Sequence, residues 1–171
     1  ALLLARSARD TAPMDTDVRS FRLEDEAETG RVLRGRIEAL AGAEASGRAL
    51  PHVIVLHGFK GFMDWGFFPL LSTRMARAGF AVLSFNFSGS GVGDDGLSFS
   101  DDAAFERNTV SRELEDVELV RAFAAHALPW IDPARVGFVG HSLGGAIALL
   151  SAVQAQDVGA LALWSSIGSL E

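Results

Sequence analysis

The chain has 171 residues, 49% of them apolar and 22% charged, with 15 basic against 22 acidic side chains and a net charge of −7. A chain of this size buries roughly 70% of its unfolded surface, enough for one compact domain, and its acidic balance argues against a nucleic-acid surface, which needs clustered Lys and Arg. No run approaches the roughly 18 apolar residues of a membrane-spanning helix, and the absence of cysteine removes disulfides, thiolate metal sites and cysteine nucleophiles together.

Residues 1–13 read as an extension ahead of a natural start at Met14, with the domain proper over residues 14–171. Leu2-Leu3-Leu4 falls short of the apolar core of about 7–15 residues in a secretory signal, so the cytoplasm is the default compartment. Residues 18–23 and 31–39 alternate apolar and polar side chains around Thr29-Gly30, which predicts an edge β-hairpin. Val53-Ile54-Val55-Leu56 is continuously apolar, as in a strand buried on both faces. Pro69 then suits a first helical turn, and Leu71, Met75 and Ala78 follow at helical spacing until Gly79.

Residues 80–87 predict the next buried strand, and residues 88–102 a polar, glycine-rich loop. Val110, Leu114, Val117, Val120 and Ala124 mark one face of a helix. Its opposite face is assigned the supporting pairs Arg112–Asp116 and Glu118–Arg121. Asp132-Pro133 reads as a turn, Val136-Gly137-Phe138-Val139 as a short strand, and residues 143–153 as an apolar-striped helix. Residues 160–164 predict a last strand. Strands alternating with helices imply an α/β fold, a mostly parallel sheet with helices on both faces.

Gly140-His141-Ser142-Leu143-Gly144 fits G-x-S-x-G, and it sits between a strand and a helix, as a nucleophile elbow requires. So sharp a turn forces the serine into a strained conformation, while Gly140 and Gly144 remove bulk where strand and helix nearly touch. The hydroxyl of Ser142 is thereby expected at the carboxyl edge of the sheet, beside the Leu143 N–H and the positive end of a helix. The bland alternative is a chance Gly/Ser turn in a chain with 18 glycines. After the earlier strand, His57-Gly58-Phe59 offers a second oxyanion donor, the Phe59 N–H, with His57 shaping the loop. The alternative there is that Gly58 merely turns the chain.

In order, the His57-Gly58-Phe59 loop, the segment Phe85-Asn86-Phe87-Ser88-Gly89-Ser90-Gly91 and Gly140-His141-Ser142-Leu143-Gly144-Gly145 resemble the α/β-hydrolase superfamily. Within it the chain is most similar to serine-aminopeptidase-like and dienelactone-hydrolase-like esterases, the cinnamoyl and feruloyl type included. Asn86 stands where those enzymes carry an aspartate in F-D-F-x-G-x-G, and Ser90 where a histidine is frequent. The resemblance implies a serine hydrolase of carboxylic esters with Ser142 as nucleophile, Phe59 and Leu143 as oxyanion N–H donors, and His57, Gly58, Gly140, His141 and Gly144 in support. It implies no cofactor or metal, and a small-molecule ester as partner.

The superfamily places the triad acid and histidine after the nucleophile. Here His52, His57 and His126 precede the elbow, His141 lies inside it, and Asp157 follows the elbow helix on the opposite edge. The acid, the base, the last strands and the lid are therefore expected beyond Glu171, and this stretch alone is expected to be nearly inactive. Peptidase, thioesterase and dienelactone hydrolase activities use the same machinery. A non-catalytic hydrolase-like binding protein is the rival from another class.

Three weaker signals take plainer readings. Gly91-Val92-Gly93-Asp94-Asp95-Gly96 fits a dinucleotide fingerprint, but no helix is expected to start there and its aspartates would repel a pyrophosphate. Asp94, Asp95, Asp101 and Asp102 lack calcium-loop spacing and read as a solvated acidic loop. Phe59, Phe62, Trp65, Phe67 and Phe68 read as core packing, with a substrate-binding wall as the alternative.

Overall fold

The computed structural model describes residues 15–25 and 30–169. The expected extension over residues 1–13, the start at Met14 and Thr29 lie outside the described residues. Six strands form one sheet in the order β1-β2-β4-β3-β5-β6, with β1 (Thr16–Glu24), β2 (Val32–Leu40), β3 (Leu50–Leu56), β4 (Ala81–Asn86), β5 (Ile131–His141) and β6 (Ala160–Trp164). β1 pairs antiparallel with β2, and β2 antiparallel with β4, while β4, β3, β5 and β6 run parallel. The predicted hairpin is thus present at one edge, two residues longer at its start than the alternation suggests.

The helices are α1 (Phe68–Arg77), the short α2 (Asp102–Glu106), α3 (Val110–Ala127) and α4 (Leu143–Ala155). Strand alternation divides the apolar residues between two cores. Val53, Val55 and Val82 face α1, whose Phe68 and Ala76 close one side. Ile54, Leu56, Leu83 and Phe85 face the other way, onto Val117, Val120, Ala124, Ile147 and Ala148 of α3 and α4. Two cores on two sheet faces explain why β3 and β4 read as unbroken apolar runs.

The connections also fix where a site can form. β3 passes through α1 to its neighbour β4, whereas β4 passes through α3 back across β3 to β5. The strand order therefore reverses at β3, and the loops after β3 and β5 leave the same carboxyl edge in opposite directions, opening the crevice in which ligands of such sheets bind.

Three expectations are corrected. Asp132-Pro133 is not a turn before the strand: β5 begins at Ile131, and its register with β3 jumps from Leu50↔Ile131 to His52↔Val136. Pro133, with no N–H to give, sits in that bulge. Part of the loop assigned to residues 88–102 leads into α2, whose N-cap Asp101 accepts the Ala104 N–H at 2.9 Å. Finally, Asp116 does not lie on an exposed face with Arg112. It is fully buried, and its carboxylate accepts Arg31 Nε at 3.0 Å and Arg31 Nη2 at 2.7 Å. The other expected pair is present, with Arg121 Nη1 on Glu118 Oε1 at 2.9 Å.

Candidate active site

β5 ends at His141 and α4 begins at Leu143, so Ser142 alone makes the turn, at φ 56 and ψ −121. A non-glycine residue with positive φ is strained, and the surroundings hold it there. Its N–H donates to the Trp164 carbonyl at 3.1 Å, and its own carbonyl accepts from Gly145 N at 3.0 Å and Ile167 N at 3.3 Å. A Cβ on Gly140 would lie 2.3 Å from the Gly144 carbonyl oxygen, and one on Gly144 would lie 2.3 Å from the His57 oxygen and 2.4 Å from the Leu56 oxygen. Strand, helix and the β3 loop therefore meet backbone against backbone.

Register brings the two loops together. Leu56 pairs with Gly140, so two residues onward along each strand stand Gly58 and Ser142. A Cβ on Gly58 would come within 2.9 Å of Ser142 Cβ and 3.4 Å of its Oγ. Ser142 is half-buried rather than sealed in the core. Leu143, first in α4, has an N–H without an intrahelical acceptor, as every helix start does. Phe59 stands at the tip of a turn closed by Gly61 N–H to the Gly58 carbonyl at 2.9 Å. The sequence-predicted group of Ser142, Leu143, Gly58 and Phe59 is thus gathered in one place, with Gly140 and Gly144 beneath it.

His57 is buried and fully engaged. Its Nε2 accepts the Phe87 N–H at 3.3 Å, which leaves Nδ1–H to donate to the Gly58 carbonyl at 2.9 Å. Burial lowers its pKa to about 4, so the ring is neutral near pH 7. It ties the end of β4 to the β3 loop. His141 turns its ring edge-on to Phe67 and Phe68, at centroid distances of 5.4 and 6.1 Å. Elsewhere, His52 bonds the Asp132 carbonyl and His126 the Ala122 carbonyl. Among the described residues no histidine hydrogen-bonds Ser142, and Asp157 pairs with Arg121 at 2.5 Å.

Asn86 shows what its departure from the aspartate pattern does. Its Oδ1 accepts the Met63 N–H at 2.7 Å and its Nδ2 reaches the Gly96 carbonyl at 3.5 Å, so one amide binds two loops with a donor and an acceptor. A carboxylate offers no such donor. The aromatic cluster divides. Phe68 is core, and Phe67 packs between it and Trp164. Phe62 and Phe59 lean instead on Phe99 and Phe105 of the β4–α3 loop, at 6.2 and 5.6 Å. Beside them Lys60, Gly91, Phe99, Asp102 and Phe105 line a recess of about 300 Å³.

The carboxylates of the acidic loop are engaged: Asp94 pairs with Arg34, and Asp95 accepts from Leu97 N, Ser98 N and Ser98 Oγ, which hold its carboxyl down at about 2. No cluster of three metal-ligating side chains occurs among the described residues. Nor is any helix among them long and apolar enough to cross a membrane.

What sequence reasoning missed lies behind β4. Asp116 Oδ2 accepts the Ser88 N–H at 2.7 Å, and Arg112 Nε donates to Ser88 Oγ at 3.0 Å. Asn108 Nδ2 donates to Glu113 Oε1 at 2.7 Å. Burial opposes the charge of Arg31, yet its bonds to Asp116 and Glu115 overcome that and hold its pKa above the ordinary value. The available signal was spacing: Glu113 and Asp116 each fall four residues before a core valine, Val117 and Val120, on the buried stripe.

Comparison with known proteins agrees with this fold. In structure the chain is similar to a hypothetical protein from Pseudomonas aeruginosa (TM-score 0.71, 20% identity), covering 98% of this chain and 49% of that one. It is also similar to a dienelactone hydrolase-like promiscuous phosphotriesterase from metagenomic libraries (0.65, 20%; 88% and 59%). A third is a dienelactone hydrolase from Anabaena variabilis (0.64, 16%; 88% and 64%). The chain thus spans about half to two-thirds of these proteins' lengths. No curated protein matches it by sequence. The model of the alpha/beta hydrolase family matches residues 53–169, more than half of the sequence, from within β3 to beyond the elbow. The chain belongs to the alpha/beta hydrolase family.

Proposed function

We propose that the protein is a serine hydrolase of carboxylic esters that works through an acyl-enzyme on Ser142. The observation that carries this reading is the strained Ser142 backbone with Gly58 packed against its side chain. Ser142 Oγ attacks the ester carbonyl, and the Phe59 and Leu143 N–H groups receive the oxyanion. Each such donor is worth about 2.7–4 kcal/mol in the transition state. His57, neutral and spent on Phe87 and Gly58, shapes the loop rather than moving a proton. The general base and its acid are assigned to residues beyond Glu171, following the family order of nucleophile, acid, histidine. Without them this stretch keeps only what the oxyanion donors and binding give, roughly 10³–10⁴-fold over water.

A fluorophosphonate probe on the full-length protein tests the reading. Labelling that is lost in Ser142→Ala is the expected result. Labelling that survives the substitution, or none in the wild type, overturns the assignment of Ser142.

A further inference from the structure

Behind β4, two buried side-chain oxygens have no hydrogen-bond partner, Glu113 Oε2 and Asn108 Oδ1. They belong to residues already joined by the bond from Asn108 Nδ2 to Glu113 Oε1 at 2.7 Å. A buried acceptor left without a donor is costly, and here two occur on one pair. One proton on Oε2 answers both. As a neutral acid, Glu113 keeps accepting through Oε1 while its O–H, after a small rotation, donates to Asn108 Oδ1 and closes a two-bonded ring. Ionised, the pair leaves Oε2 and Oδ1 as two buried acceptors, with its one donor, Nδ2, already spent on Oε1.

The position of the pair gives that proton a consequence. Asn108 lies flat on the backbone of Gly89, where a Cβ would meet its Oδ1 at 2.1 Å and its Cγ at 2.5 Å. Gly89 is the third residue of a turn closed by Ser90 N–H to the Phe87 carbonyl at 2.9 Å. The first residue of that turn, Phe87, gives its N–H to His57, and His57 in turn holds the Gly58 carbonyl. A contiguous set of contacts therefore runs from Glu113 to the loop that touches Ser142.

We propose that Glu113, as a neutral acid bonded to Asn108, is a positioning residue that clamps the turn at residues 87–90 and so fixes the His57–Phe59 loop. The role of that loop rests on the hydrolase reading above, but the clamp itself does not require Ser142. Burial raises the Glu113 carboxyl to about 7; the bond from Asn108 opposes the rise and Asp116 adds to it. The charged groups around it are few. On α3 these are Asp116 and Arg112, whose Nε is on Ser88 Oγ. From the start of β2 comes Arg31, which bonds Asp116, Asp25 and Glu115. The β4–α3 loop contributes the uncharged Asn108.

Amide hydrogen exchange on the full chain, corrected for the intrinsic pH dependence, reads the clamp. Protection of residues 57–61 and 87–90 is expected to fall about tenfold between about pH 6 and pH 8 in the wild type. Glu113→Gln, whose amide supplies the same donor and acceptor without titrating, is expected to keep that protection level over the range. Asn108→Ala is expected to lose it at every pH, and Ser142→Ala to behave as the wild type. Wild-type protection that does not change with pH, or a Glu113→Gln chain that shows the same fall, overturns the proposal. A failure of fluorophosphonate labelling would instead strike the hydrolase reading and leave the clamp standing.

Discussion

The loop after β5 and the loop after β4 leave the same edge of the sheet and are held by opposite means. At the elbow the chain closes on itself backbone to backbone: Gly140 against Gly144, Gly144 against the carbonyls of Leu56 and His57, and Gly58 against Ser142. Ser142 itself is held by main-chain bonds alone, to Trp164, Gly145 and Ile167, with His57 the one side chain that braces the loop beside it. After β4 the chain runs for some twenty residues with backbone bonds that close only on itself, and it is side chains that anchor it to the rest of the fold: Asp116 and Arg112 on Ser88, Asn108 on Gly89, Asn86 on Met63 and Gly96. The first device is main chain against main chain, with nothing to titrate. The second depends on partners distant in sequence, some of them titratable.

If that contrast is right, the largest loss from a single substitution comes from Asp116→Ala. It removes the carboxylate that meets both Arg31 and the Ser88 N–H and leaves a nearly buried guanidinium short of its main partner. Breaking a buried pair from one side costs about 3–5 kcal/mol. The urea midpoint should fall accordingly, and Asp116→Asn, which keeps the shape, should recover only part of it. Gly144→Ala comes next. A methyl there meets two carbonyl oxygens that cannot swing aside, and overpacking of this kind costs about 3 kcal/mol. If a milder loss of under about 1 kcal/mol were measured, the elbow would be looser than its backbone contacts imply.

The same contrast explains what could be read in advance. The elbow was legible because its devices are short-range: an apolar strand, two glycines around a serine, an apolar helix, all within residues 136–153. The β3 loop was legible for the same reason. What spacing alone could not supply was the register Leu56↔Gly140, which sets Gly58 against Ser142. Asp116 reads as solvent-facing only because residue type outweighs position there. Asp116 and Glu113 sit on the same helical stripe as Val117 and Val120, but a carboxylate suggests solvent until its partner is known, and Arg31 lies 85 residues away. Likewise Pro133 suggested a break where β5 absorbs it in a bulge. The short helix α2 has a side-chain cap but too few residues to show a period.

Glu113 provides a smaller and pH-dependent test of the β4 side. Its folded pKa, about 7, lies above the ordinary value of 4.5. The folded state therefore binds the proton more tightly, and stability declines as pH rises from about 4.5 to about 7, then stays flat. The full effect is on the order of 3 kcal/mol, of which about 2–3 kcal/mol falls between pH 5 and pH 8. Glu113→Gln removes it, so the variant should gain on the wild type by that amount between pH 5 and pH 8 in urea denaturation. An unchanged difference across the range would mean that Glu113 ionises inside the fold without penalty.

The smallest expected effect isolates the side-chain device most directly. Gly89→Ala places a methyl on Asn108, whose amide end, unlike a backbone carbonyl, can swing aside if it gives up Glu113, leaving only its Cβ at 2.6 Å to be accommodated. The cost should be about 1–2 kcal/mol, below that of Gly144→Ala although the nominal clash is as close. In Gly89→Ala/Asn108→Gly the methyl meets neither Oδ1, Cγ nor Cβ at position 108, so the two substitutions should couple by about 1 kcal/mol in a double-mutant cycle. Gly144 has no such partner to delete, since its neighbours are main-chain oxygens. Strict additivity at Gly89 and Asn108 would place the obstruction in the backbone there too, and the two loops would then be built alike.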